Sequence, residues 1–252
     1  MVTKRLRELL LGLAILPMIA QPVFAHSIWF EKGEEQGEYK VLFGHPETGI
    51  PEAYDSIKFQ DATAYDGNGT PLPLEVNREY EGVTLVSERN NVAAITAKHD
   101  NGYFISTGEG ESRNVFRPEA LEANNEETRI THTYKLGKAF YEQTRLFSQP
   151  FGLLLEIIPR QDPYTVEAGE TLEVQVLYQG KPQEGVTIEY AGGEPVKTNA
   201  QGIASVTLKE EEVQIIEAEY RFPSTDDPAT DEISYASSLT IDRTGNGYVF
   251  QR

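Results

Sequence analysis

Between residues 39 and 220 apolar side chains recur at every second position in a succession of short runs, with turn-forming Gly, Asn, Asp and Pro between them. A period of two is the signature of a half-buried strand, and short strands at regular spacing build sandwiches. The first half carries such runs at residues 39–43, 56–65, 83–87, 92–99, 103–107 and 130–140, and the second at 164–167, 171–178, 186–190, 203–208 and 213–220. Asp66-Gly67-Asn68-Gly69 and Asp100-Asn101-Gly102 read as hairpin turns. The stretch 117–124, opened by Pro118, reads as a short helix or loop. The expected fold is all-β: two β-sandwich-like domains spanning 26–159 and 160–252.

Residues 1–25 are set aside from that fold. Lys4, Arg5 and Arg7 precede an apolar stretch at 9–20, and Val23-Phe24-Ala25 closes it with small residues at the positions a signal peptidase requires. This is the pattern of a Sec signal peptide cut after Ala25, which predicts a periplasmic protein. A membrane-spanning helix needs about 20 apolar residues, so neither this stretch nor any later one predicts insertion of the mature chain.

Composition narrows the chemistry. The chain has 40 acidic and 22 basic residues, a formal charge of −18, no Cys and two Met. The leader takes away three basic residues, one acidic residue and both Met, leaving 39 acids against 19 bases and a charge of about −20. Such a surface repels nucleic acid and anionic lipid and favours cations as partners. Disulfides, thiolate zinc sites, cysteine nucleophiles and soft sulfur sites for Cu(I) are all excluded, so any bound metal is held by nitrogen and oxygen.

The four histidines, His26, His45, His99 and His132, all fall in the first half of the mature chain. Cleavage after Ala25 would make His26 the first residue, offering its α-amine and imidazole Nδ1 as a five-atom bidentate unit suited to Ni(II), Co(II), Cu(II) or Zn(II). The amine titrates near 8 (about 7.7–8.0), so such binding displaces a proton. His45 sits in Phe43-Gly44-His45-Pro46, at a strand end where the chain turns. His132 alternates with Ile130 and Tyr134 on what reads as an inward face, and His99 stands beside Asp100 at the expected hairpin end. A metal site of His26, His45 and one or both of His132 and His99 is the expectation; which of the last two completes it stays open.

Several segments resemble the DUF4198 family, periplasmic proteins associated with nickel and cobalt uptake. They are Ala25-His26-Ser27-Ile28-Trp29, Phe43-Gly44-His45, Tyr134-Lys135-Leu136-Gly137-Lys138-Ala139, the long stretch from Pro150 through Leu155-Glu156-Ile157-Ile158-Pro159 to Asp162-Pro163-Tyr164, and Tyr235-Ala236-Ser237-Ser238-Leu239-Thr240. The turns Gly180-Lys181-Pro182 and Asn199-Ala200-Gln201-Gly202 resemble those of prealbumin-like and carboxypeptidase-regulatory-like sandwiches. The family resemblance implies a non-enzymatic accessory protein that binds Ni(II) or Co(II) beside a membrane transporter. It also implies a further histidine near residues 218–220, where this chain has Tyr220.

Three other readings stand beside that one. A periplasmic copper-binding protein follows from the Irving–Williams order, which places Cu(II) first on most nitrogen and oxygen sites. A terminal His with an internal His also resembles the copper brace of lytic polysaccharide monooxygenases, which oxygen consumption with copper and ascorbate would reveal. A structural β-protein with incidental histidines would bind no metal.

Overall fold

A computed structural model describes residues 26–80, 82–107, 112–125 and 127–244. The signal peptide expected at 1–25 lies outside the described residues. In chain order the strands are β1 Ser27–Lys32, β2 Glu38–His45, β3 Ile50–Pro51, β4 Phe59–Tyr65, β5 Pro71–Leu72, β6 Glu75–Glu79, β7 Gly82–Val86, β8 Ala94–Thr107 and β9 Ser112–Val115. After the one α-helix among the described residues, α1 Arg117–Ala123, come β10 Thr128–Phe140, β11 Leu155–Pro159, β12 Thr171–Tyr178, β13 Lys181–Pro182 and β14 Thr187–Tyr190. The chain continues with β15 Val196–Lys197, β16 Ile203–Thr207, β17 Val213–Pro223 and β18 Glu232–Asp242.

These strands form three sheets. A first sheet has the order β1-β2-β7-β6 with β3 on β2; a central one runs β15-β14-β17-β18-β10-β8-β4-β5 with β9 on β8; a third runs β11-β12-β13 with β16 on β12. The central sheet holds strands from both halves of the chain because β10 pairs with β18 in parallel, Thr131 opposite Glu232 through Phe140 opposite Ile241. β11 and β12, on either side of the division expected at residues 159 and 160, also pair with each other. The hydrogen-bonded structure therefore runs straight across that division. A parallel pairing of strands about a hundred residues apart leaves no mark in local alternation, which reports only the faces of each strand.

Alternation along β10 explains the layering. Leu136 and Phe140 face one core with Leu155, Ile157, Val174 and Ile188, between the central and third sheets. Ala139, on the opposite face, joins Ile28, Phe30, Val41, Leu85 and Ile95 between the central and first sheets. Gly137 lies on that second face, where a Cβ would come within 2.6 Å of the Phe30 ring, so only glycine lets β1 pack this closely on β10.

Lys138 turns to the other core. Its Nζ donates to Glu156 Oε1 at 2.8 Å, and both side chains are 1% exposed. The Glu156 carboxylate also accepts from the backbone N–H groups of Phe151 (2.8 Å), Gly152 (3.0 Å) and Leu153 (3.3 Å). The ammonium lies 5.7 Å from the Phe140 ring centroid and 5.6 Å from that of Phe151. One buried carboxylate thus organises the whole turn leading into β11.

Two local expectations change. Asp100-Asn101-Gly102 is a β-bulge inside one long strand, β8, and no hairpin: Thr133 pairs with Gly102 and Tyr134 with Asp100, leaving Asn101 as the extra residue. Gly102 at φ 80° serves a bulge as well as it would a turn. Residues 164–167 form no strand: a turn at 163–165 is held by Asp162, which accepts from the N–H groups of Tyr164 and Thr165, although Tyr164 and Val166 are buried as an alternating strand would have them. The hairpin at Asp66–Gly69 joins β4 to β5, and the 117–124 stretch is the helix α1.

Candidate metal centre

The site grows from the turn that ends β2. Pro46 opens a single 3₁₀ turn directly after His45, Gly49 closes it at φ 66°, and β3 returns antiparallel with Ile50 opposite His45 and Pro51 opposite Gly44. The Glu52 N–H donates to the Phe43 carbonyl at 2.8 Å, which carries the Glu52 side chain back over Gly44. Gly44 has φ 127°, a conformation essentially reserved for glycine, and a Cβ there would meet Glu52 Cγ at 3.3 Å. Across the other edge of β2, Ser27 of β1 pairs with Gly44, so His26 comes to rest beside Glu52 and His45.

His26 Nε2–H donates to both Glu52 carboxylate oxygens, at 3.0 and 3.1 Å. Its ring stacks on Phe43 (5.2 Å between centroids, 9° between planes) and lies 4.6 Å from the ring of His45. One ligand atom from each of His26, His45 and Glu52 falls within 4.8 Å of the other two. His45 Nδ1 is also 3.4 Å from Glu47 Oε1. Burial pushes the His26 imidazole below its ordinary value against the pull of Glu52, with His45 and Lys135 adding to the depression.

The donor set suits a borderline divalent metal. Two imidazole nitrogens and one carboxylate oxygen, with no sulfur, match Ni(II), Co(II), Zn(II) or Cu(II) and leave coordination positions for water or an amine. Ligand atoms about 2.0–2.2 Å from a shared ion lie roughly 3–4 Å apart. The His26–Glu52 pair already stands at that spacing, and the 4.8 Å spread of the trio requires only a modest side-chain adjustment. The atom of His26 that faces Glu52 is Nε2, whereas chelation through a terminal amine uses Nδ1.

His99 and His132 lie outside this cluster. His99 is 1% exposed and forms the backing of Phe43, its ring 5.8 Å from that of Phe43 and 5.3 Å from that of Tyr54. Its Nε2 faces Asn101 Oδ1 at 3.4 Å, its Nδ1 has no hydrogen-bond partner among the described residues, and burial lowers its pKa to about 4. Both nitrogens of His132 are engaged, Nε2 with Asp100 Oδ1 at 2.7 Å and Nδ1 with the Tyr134 hydroxyl at 3.2 Å, and its ring stacks on Tyr103 at 3.9 Å. Tyr220 packs with Tyr178 and Phe222. The third position of the cluster is taken by Glu52, one carboxylate among the chain's 40. The signal that singles it out is the Gly44, Pro46, Gly49, Pro51 series, which folds the chain back on itself.

The architecture defines a β-sheet protein with a solvent-reached cluster of two histidines and a glutamate at one strand end. Its family follows from comparison: the model of a domain of unknown function, DUF4198, matches residues 23–222, and the chain belongs to that family. A similar protein is an uncharacterized protein of Haemophilus influenzae, 26% identical over 184 residues that make up 73% of this chain and 75% of that one.

Proposed function

We propose that the mature chain binds a divalent transition metal ion as cargo, Ni(II) or Co(II), at His26, His45 and Glu52, and passes it on without acting as an enzyme. The observation that carries this reading is the convergence of three ligand atoms from His26, His45 and Glu52 within 4.8 Å. The acidic surface supports it by drawing cations to the chain. A site at the surface with open coordination positions suits an ion that must be handed over, and the receiving partner in this reading is a nickel or cobalt transporter in the membrane, met in the periplasm.

The test is calorimetric titration of Ni(II), Co(II), Cu(II) and Zn(II) into metal-stripped protein beginning at His26. One ion should bind per chain. His45→Ala and Glu52→Gln should each weaken binding by more than about 10–100-fold, the range associated with loss of a supporting partner, while His132→Ala binds like the parent protein. Equal losses from His45→Ala and His132→Ala, or no saturable binding of any of the four ions, would overturn the assignment.

A further inference from the structure

A cleft of about 350 Å³ opens at the bulge in β8 and shares no residue with the His26, His45 and Glu52 cluster. Bulges re-aim side chains, and this one turns Asp100 into the cleft. Asp100 Oδ1 accepts from His132 Nε2 at 2.7 Å and from the Gly102 N–H at 3.0 Å, while Oδ2 accepts from no described residue. The carboxylate is therefore held rigidly with one oxygen left for a ligand.

The rest of the lining supplies complementary chemistry. Tyr103 is fixed on one side by stacking on His132 and at its hydroxyl by Asp227 Oδ2, 2.7 Å away. Phe116 and Ile57 flank the cleft at 54% and 72% exposure and give it an apolar wall open to solvent. Two cations stand among them. Lys58 Nζ lies 5.4 Å over the Phe116 ring and donates to the Asn101 carbonyl at 3.3 Å and to Asn114 Oδ1, using two of its three N–H groups. Arg117 Nη2 donates to Asp227 Oδ1 at 2.9 Å, and the side chain is 53% exposed.

The geometry points to a binding site for a small aromatic α-amino acid, whose ammonium meets Asp100, whose carboxylate meets Lys58 or Arg117, and whose ring covers Phe116 and Tyr103. The volume is that of small-molecule sites, which combine apolar walls with a few fixed polar groups. With Arg117 held by Asp227, the cleft offers a fixed carboxylate oxygen on Asp100 and spare N–H groups on Lys58 and Arg117 around one aromatic lining, which matches a zwitterion better than a simple amine or a simple acid. The inference stands independently of the metal reading.

The test is calorimetry on the full mature chain, stripped of metal with EDTA, using L-tryptophan and L-phenylalanine as probes, with tryptamine and 3-indolepropionate as truncated controls. At least one amino acid should bind saturably with one site per chain. Each truncated probe should bind about tenfold or more weakly than tryptophan or not at all, since each loses one charge-assisted contact. Asp100→Asn and Phe116→Ala should each weaken binding by about tenfold or more. Phe116→Ala alters an exposed side chain, so its thermal unfolding and its Ni(II) titration should match the parent and a loss of amino-acid binding is then local. Absence of saturation by both amino acids up to about 10 mM, far weaker than ordinary ligand recognition, would overturn the proposal. Parent-like binding by Phe116→Ala, or truncated probes that bind as well as tryptophan, would overturn it equally.

Discussion

Replacing Lys138 with Met should reveal how the two halves are joined. Lys138 and Glu156 are each 1% exposed, and burial alone drives the Lys138 ammonium to a lower pKa while the Glu156 carboxylate opposes that shift. Met keeps the stem that packs beside Phe140 and Phe151 but leaves Glu156 as a buried carboxylate facing only backbone N–H groups. Removing one partner of a buried pair costs about 3–5 kcal/mol. For a chain of this length that corresponds to a fall of about 6–20 °C in Tm. Differential scanning calorimetry and urea unfolding should agree on the size. The double variant Lys138→Met with Glu156→Gln should recover part of the loss, because the amide oxygen still accepts from the 151–153 turn and no charge is stranded. A loss below about 1 kcal/mol for Lys138→Met would refute the claim that this pair is a buried, mutually dependent unit.

Gly44→Ala should cost about 1–3 kcal/mol of stability, because alanine is strained at φ 127°. It should also weaken Ni(II) binding by displacing Glu52, which calorimetry on the folded variant would register. Glu217 is 5% exposed and burial raises its pKa to about 8, so the stability it contributes is present below about pH 4.5 and lost as pH rises toward 8. Glu217→Gln should therefore stabilise the protein more at pH 8 than at pH 5 in thermal melts. His99 has the opposite sign: with its pKa lowered to about 4, its contribution is present above about pH 6.5 and lost as pH falls toward 4. His99→Leu should flatten that acid loss by about 3 kcal/mol, measured by urea unfolding across the window. One residue added before His26 should weaken Ni(II) binding if the α-amine is a ligand; unchanged affinity would leave Nε2, the atom facing Glu52, as the His26 donor.

Much of the architecture is legible in the residues because alternation reports burial directly. The runs at 39–43, 130–140 and 171–178 lie within β2, β10 and β12, and the Asp66–Gly69 hairpin stands where its turn chemistry places it. What local pattern does not carry is pairing between distant strands. The parallel match of β10 with β18 joins residues about a hundred positions apart, and the covers on the two faces of β10, Phe30 over Gly137 and Glu156 at Lys138, belong to other strands. The site divides in the same way. His26 and His45 are rare side chains, one beside the Val23-Phe24-Ala25 pattern and one at a strand's end, and the sequence marks them. Glu52 is one acid among many, and its place depends on the fold-back over Gly44. His99 and His132 are equally rare side chains, but the fold uses one as the backing of Phe43 and engages the other with Asp100 on β8 and Tyr134 on its own strand.

X-ray absorption at the nickel edge, on mature protein loaded with one equivalent of Ni(II), tests the metal reading most directly. Nitrogen and oxygen ligands at about 2.0–2.2 Å, with outer-shell scattering from two imidazole rings, are predicted. The imidazole signal should drop to that of one ring in His45→Ala and stay at two in both His99→Leu and His132→Ala. A shell of water and carboxylate with no imidazole signal, or a two-ring signal untouched by His45→Ala, would contradict a site built from His26, His45 and Glu52.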